Sequence, residues 1–181
     1  MKENINLKKK LSLFIVSVFM LFTMFSTMSS ADEAYIASFN ILRLGAAEKD
    51  MVQTAKLLQG FDLVGLVEVI NKEGIEDLVD ELNRQSPNTW DYHISPFGVG
   101  SSKYKEYFGY VYKKDKVKFV KSEGFYKNGK SSLLREPYGA TFKIDNFDFT
   151  LVLVHTIYGN NESQRKAENF KMVDVYDYFQ D

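Results

Sequence analysis

The sequence has no cysteine, three prolines, two histidines and one tryptophan among its 181 residues. Without cysteine it has no disulfide framework, no thiolate nucleophile and no cysteine-ligated zinc. Few prolines and 11 glycines exclude collagen-like or linker-dominated material. Lys and Arg number 23 against 24 Asp and Glu, a formal charge of −1, so bulk basicity supplies no general attraction for nucleic acid. HExxH, CxxC and GxSxG are all missing. The chain is rich instead in apolar residues (45%) and aromatics (15%), including 15 Phe and 11 Tyr. That content excludes a disordered polypeptide and supplies a sizeable core.

The first 31 residues read separately from the rest. Lys2, Lys8, Lys9 and Lys10 precede an apolar stretch at 11–28, and Ser29-Ser30-Ala31 offers small residues for cleavage. Basic, apolar and small in that order is the pattern of a secretory signal peptide. The stretch is also about long enough for a membrane anchor, but the Ser-Ser-Ala end favours cleavage and secretion. Removing residues 1–31 takes four Lys and one Glu from the totals of 23 and 24, leaving 19 and 23, a net charge of −4.

From residue 34 the pattern alternates between strand and helix. Residues 34–42 read as a buried strand, 47–59 as a helix, 62–70 as an apolar strand and 73–84 as a helix with Ile75, Leu78, Val79 and Leu82 inside. Short strands follow at 90–95, 106–113 and 116–121, then a loop over 122–136 and a hairpin at 138–144 and 147–155. A helix at 163–179 closes the chain, its inner stripe placed at Ala167, Phe170, Val173 and Tyr176 or Val175. The run at 151–154 is apolar on both parities, so both faces of that strand should be covered. Strand–helix repeats followed by a meander define an α/β fold, with sheets inside and helices outside.

Three polar residues stand where apolar strands end: Asn40, Glu68 and His155. Adjacent strand ends converge on one edge of a sandwich. A carboxylate beside an amide oxygen suits a hard cation, and a histidine there can transfer a proton near neutral pH. Arg135 can grip a phosphate with two donors. Each also has an ordinary reading: a carboxylate cap, a hydrogen-bonded edge histidine, a loop arginine. His93, among aromatics, reads as structural, and the tyrosines of 104–112 read mainly as core.

The segments IASFNIL (36–42), DLVGLVEV (62–69), SPFG (95–98), KYKEYFGYVYKKDKV (103–117), REPYGATFK (135–143) and LVLVHT (151–156) resemble the DNase I-like endonuclease/exonuclease/phosphatase superfamily, in its secreted branch. The resemblance implies a two-sheet α/β sandwich flanked by helices. It also implies that 32–181 corresponds to the N-terminal part of that domain, a truncated one. Glu68 then matches the acidic metal ligand, with Val67 where the family has glutamine, and Asn40 matches the asparagine of the metal and phosphate site. His155 matches a catalytic histidine, Glu106 the carboxylate that orients it, and Tyr104 and Arg135 residues that contact the DNA backbone.

The implied cofactor is Mg²⁺, with Ca²⁺ or Mn²⁺ as alternatives, and the implied substrate is DNA. The family's GDFN and SDH segments, which carry a second histidine and further acidic groups, have no counterpart here. This chain alone is therefore expected to be a weak or inactive metal-dependent phosphodiesterase. A sphingomyelinase-like hydrolase, a non-catalytic secreted binding protein derived from a nuclease, and a short protein completed by a partner chain are the other readings.

Overall fold

The computed structural model describes residues 33–127 and 133–180. The expected signal peptide at 1–31 lies outside the described residues. Two sheets form the body from residue 34 onward. The first has the order β1-β2-β5-β3, with β4 on β5: β1 (Ile36–Leu44), β2 (Leu63–Val69), β3 (Trp90–Ile94), β4 (Val99–Gly100) and β5 (Lys105–Lys113). Only β1 and β2 run parallel, joined by α1 (Met51–Leu58). Strand β2 leads through α2 (Lys72–Gln85) to β3. The second sheet is the antiparallel set β6 (Lys118–Phe125), β7 (Tyr138–Ile144) and β8 (Phe147–Leu153). The chain closes with α3 (Glu162–Phe170) and α4 (Met172–Gln180).

Two cores follow from strand alternation. On β2, Val64 and Leu66 face the helices with Leu58, Ile75, Leu78 and Leu82. Leu63 and Val67 face the second sheet, with Phe108, Tyr110, Phe142 and Leu153. Gly65 lies between them, and a Cβ there would stand 2.3 Å from Leu153 Cδ2, so the glycine admits Leu153 from the opposite sheet. Helix caps match their side chains: Asp50 Oδ1 accepts from Gln53 N–H and Asn71 Oδ1 from Gly74 N–H.

Buried Asp62 closes one end of the first sheet. It accepts from Tyr35 N–H at 2.9 Å and pairs with Lys113 at 3.0 Å and Lys116 at 3.1 Å. Burial acts to raise its pKa, but the Tyr35 N–H and the two ammonium groups outweigh burial and hold it below the ordinary carboxylate value.

The structure differs from the sequence reading in four places. Strand β1 is covered on one face only: Ile36 is 43% exposed, because β1 is an edge strand and β8 ends the facing sheet. The first helix begins at Met51 rather than 47, since Asp50 caps it. Strand β6 reaches Phe125, inside the expected loop; two register irregularities let its serine- and glycine-containing half stay paired with β7. The terminal helix is two helices, tightened at Lys171 where the N–H donates to Glu168 carbonyl oxygen at 3.0 Å.

The inner stripe of those helices is Glu168, Met172, Val175 and Phe179, while Phe170 and Val173 are exposed. Of the residues expected inside, Val175 is buried, whereas Ala167, Phe170, Val173 and Tyr176 are exposed. Phe179 lies over Gly139 and Val152 packs beneath the same helix, so β8 is covered on both faces.

His93 is structural, as expected. Its Nε2 lies 2.8 Å from Tyr138 Oη, which in turn meets Ser122 Oγ at 2.7 Å, and its ring stacks on Phe119 at 4.3 Å. Burial lowers its pKa below the ordinary imidazole value. The unfolded chain therefore binds the proton first as pH falls, and stability declines below about pH 6.5. We expect the urea midpoint to fall between pH 7.5 and 5.5, and this fall to shrink in His93→Gln. An equal fall in the variant would assign the effect elsewhere.

Candidate active site at the strand ends

Four strand ends meet at one edge of the sandwich. On β5, residues 106, 108, 110 and 112 share a parity, and Phe108, Tyr110 and Tyr112 are interior. Glu106 is therefore carried between the sheets, where it is fully buried. On β8, Leu151 and Leu153 face the same interior, and His155 continues that parity just past the strand. The two meet: His155 Nδ1 lies 2.5 Å from Glu106 Oε1.

Glu68 reaches the site by a different route. Strict alternation would send it to the helix side with Val64 and Leu66. Instead Glu68 has φ +63°, and the register with β5 shifts between Leu66 and Val69. Val69 returns to the helix-side core, so the bulge re-aims Glu68 toward the sheet edge. Its Oε1 lies 3.7 Å from His155 Nε2.

Asn40 comes from the neighbouring strand, paired with Val67, and donates from Nδ2 to Glu68 Oε1 at 2.9 Å. Its Oδ1 accepts from Leu42 N–H, also at 2.9 Å. Leu42 and Arg43, at φ +49° and +58°, carry the chain through a left-handed turn. Non-glycine residues there cost about 1–3 kcal/mol each, a strain that gathers at functional sites.

Arg135 sits directly behind Glu106, its Nε 3.1 Å from Glu106 Oε2. The two form an ion pair by distance, but the N–H is not aimed at the oxygen, so neither atom completes a hydrogen bond. Tyr104 is half-buried, and Arg43 lies over its ring, 5.7 Å from the centroid. Burial pushes the Tyr104 phenol up, Glu68 and Glu106 push the same way, and Arg43 and Arg135 oppose them. All six residues singled out from the sequence thus share one edge.

Two residues at this edge escaped sequence reasoning. Arg43 follows the strand that carries Asn40. Glu168, on α3, is 4% exposed and accepts from Leu134 N–H at 2.8 Å and Ile157 N–H at 2.5 Å. One carboxylate thereby ties the segment leading to Arg135 to the segment leaving His155. The i, i+4, i+7 spacing of Glu168, Met172 and Val175 was the available signal.

Among the described residues, no group of three or more acidic or histidine side chains gathers into a metal cage. The donors present are one carboxylate, Glu68, and the Asn40 amide oxygen. This sparse oxygen set fits Mg²⁺, which keeps several waters and uses one or two carboxylates plus substrate phosphate.

In its two-sheet sandwich and the polar residues at this edge, the chain is similar to the DNase I-like endonuclease/exonuclease/phosphatase superfamily. No protein-family model matches the chain. It is 29% identical over 149 residues to a deoxyribonuclease of Thioalkalivibrio sp. (strain K90mix), covering 81% of this chain and 41% of that protein. It is 31% identical over 127 residues to deoxyribonuclease-1 of Mus musculus, covering 65% and 44%. The chain thus spans less than half the length of these relatives.

In fold it is similar to an endonuclease/exonuclease/phosphatase family protein from Leptotrichia buccalis, with TM-score 0.55, 14% identity, and 80% and 63% of the two chains covered. It is also similar to D. rerio TDP2 complexed with a single-strand DNA product, with TM-score 0.52, 20% identity, and 77% and 52% covered.

Proposed function

We propose that this chain carries one half of the catalytic edge of a secreted, Mg²⁺-assisted phosphodiesterase whose substrate is DNA. The observation that carries the reading is His155 held between Glu106 at 2.5 Å and Glu68 at 3.7 Å. A buried carboxylate against Nδ1 retains the proton there, which leaves Nε2 as the acceptor in the neutral ring. His155 Nε2 can then take a proton from water or return one to a leaving oxygen. Arg135 fixes Glu106 from behind, so the imidazole has one orientation.

Glu68 and Asn40 would hold the metal, which when bound supplies charge neutralisation on a phosphate oxygen. Asn40 also fixes the Glu68 carboxylate through Nδ2. Of the two histidines in the sequence, only His155 stands here, so a second proton-transfer group is not provided and turnover by this chain alone is expected to be slight. DNA as substrate is supported by the deoxyribonuclease relatives. Among the described residues no helix is long and apolar enough to cross a membrane.

The test joins residues 34–180 to the part of the Thioalkalivibrio deoxyribonuclease beyond its matched segment. Mg²⁺-dependent nicking of supercoiled plasmid is expected, falling about 10²–10⁴-fold in His155→Ala and needing far more Mg²⁺ in Glu68→Gln. A folded chimera that hydrolyses sphingomyelin and leaves plasmid intact would overturn the substrate. Nicking unaffected by His155→Ala would overturn the site.

A further inference from the structure

His155 and Arg135 both stand outside the strand ladders. Strand β8 ends at Leu153, and β7 begins at Tyr138. Sheet hydrogen bonds therefore fix neither residue, although both converge on Glu106. Another group has to hold the two segments at the separation that the Glu106 carboxylate spans.

Glu168 stands in that position. Its Oε1 accepts from Leu134 N–H at 2.8 Å and its Oε2 from Ile157 N–H at 2.5 Å. Leu134 adjoins Arg135, and Ile157 lies two residues beyond His155. The contacts close a ring that runs from Glu168 through Arg135, Glu106 and His155 back to Glu168. Arg165, one turn earlier on α3, donates to the Gly159 carbonyl oxygen and grips the same loop. The Glu168 carboxylate keeps its place against two costs. It is 4% exposed, and it lies in the last turn of α3, where the helix dipole disfavours negative charge. A side chain retained against burial and dipole alike marks a functional constraint.

We infer that Glu168 is a positioning residue for the proton-transfer step. By holding both segments it sets His155 and Arg135 on the two oxygens of Glu106 and so fixes the imidazole. This inference rests on the phosphodiesterase reading above. Its first readout is the His155 Nδ1–H proton resonance in the full chain, assigned by its loss in His155→Gln. The bond to Glu106 shields that proton from exchange, so the signal should be visible at neutral pH. In Glu168→Ala it is expected to broaden into exchange with water. The ring signals of His93, which report the packing between the sheets, should stay in place.

The second readout is nicking by the chimera. In Glu168→Ala kcat should fall about 10²-fold with KM unchanged, since a misplacement of about 1 Å costs that much. Glu168→Gln keeps one oxygen for one of the two N–H groups, so its kcat should fall about tenfold. Lys166→Ala, an exposed charge on α3, should change neither readout. An unchanged His155 signal and an unchanged kcat in Glu168→Ala overturn the inference. If that variant loses the His93 signals as well, it has unfolded, and an unchanged signal and kcat in Glu168→Gln overturn the inference instead. A parent chimera that does not nick overturns the phosphodiesterase reading. The His155 resonance of the full chain then decides the hold of Glu168 without any turnover.

Discussion

Glu106→Ala is expected to destabilise the fold by about 3–5 kcal/mol, the usual cost of leaving half of a buried ion pair uncompensated. Glu106 is fully buried, and it faces Arg135 at 3.1 Å and His155 at 2.5 Å. Alanine would strand the Arg135 guanidinium at 12% exposure and free the imidazole to rotate. Glu106→Gln keeps the shape and should cost less, while still removing the charge opposite Arg135. Urea unfolding measures both, and adding Arg135→Met to Glu106→Ala should recover a substantial part of the loss. A cost under about 1 kcal/mol for Glu106→Ala would mean that Arg135 finds water when its partner is gone. Because the same carboxylate orients His155, the chimera carrying Glu106→Ala should also lose nicking.

Phe142→Ala should cost about as much, for an apolar reason. Phe142 is fully buried and its ring centroid lies 5.2 Å from Tyr110, 5.6 Å from Tyr112, 5.8 Å from Phe119 and 6.4 Å from Phe149. Truncation there removes rings' shared partner between the sheets, a change worth about 3–5 kcal/mol. Phe142→Leu retains most of the volume and should cost much less. Equal midpoints for the alanine variant and the parent would show that the two sheets do not depend on this aromatic contact.

The chemistry of the edge was easier to see in the sequence than its geometry. Asn40, Glu68 and His155 stand out because each interrupts an apolar strand, and the structure brings them together. Glu106 was named through resemblance, since a carboxylate before an aromatic strand looks exposed. Only the parity it shares with Phe108 and Tyr110 shows it to be interior.

The bulge at Glu68 had no signal at all. Positive φ is read from glycine or asparagine, and here it falls on glutamate, held by Asn40 and the pairing of three strands. Glu168 misled the helix phase for a related reason. A charged residue was assigned outward, although two backbone N–H groups from distant segments satisfy it. The second half of strand β6 was lost to local composition, because serines and Gly124 resemble a loop until Tyr138 and Phe125 are seen to pack against each other.

The missing side chain of Gly65 acts as a depth stop for the whole edge. Leu153 fills the space that a methyl group at residue 65 would take, so one isobutyl group is the shim that sets the local separation of the sheets. Glu68 lies three residues beyond the notch and His155 two beyond the shim. The reach between carboxylate and imidazole is thus gauged by two residues that carry no functional group and never meet a substrate.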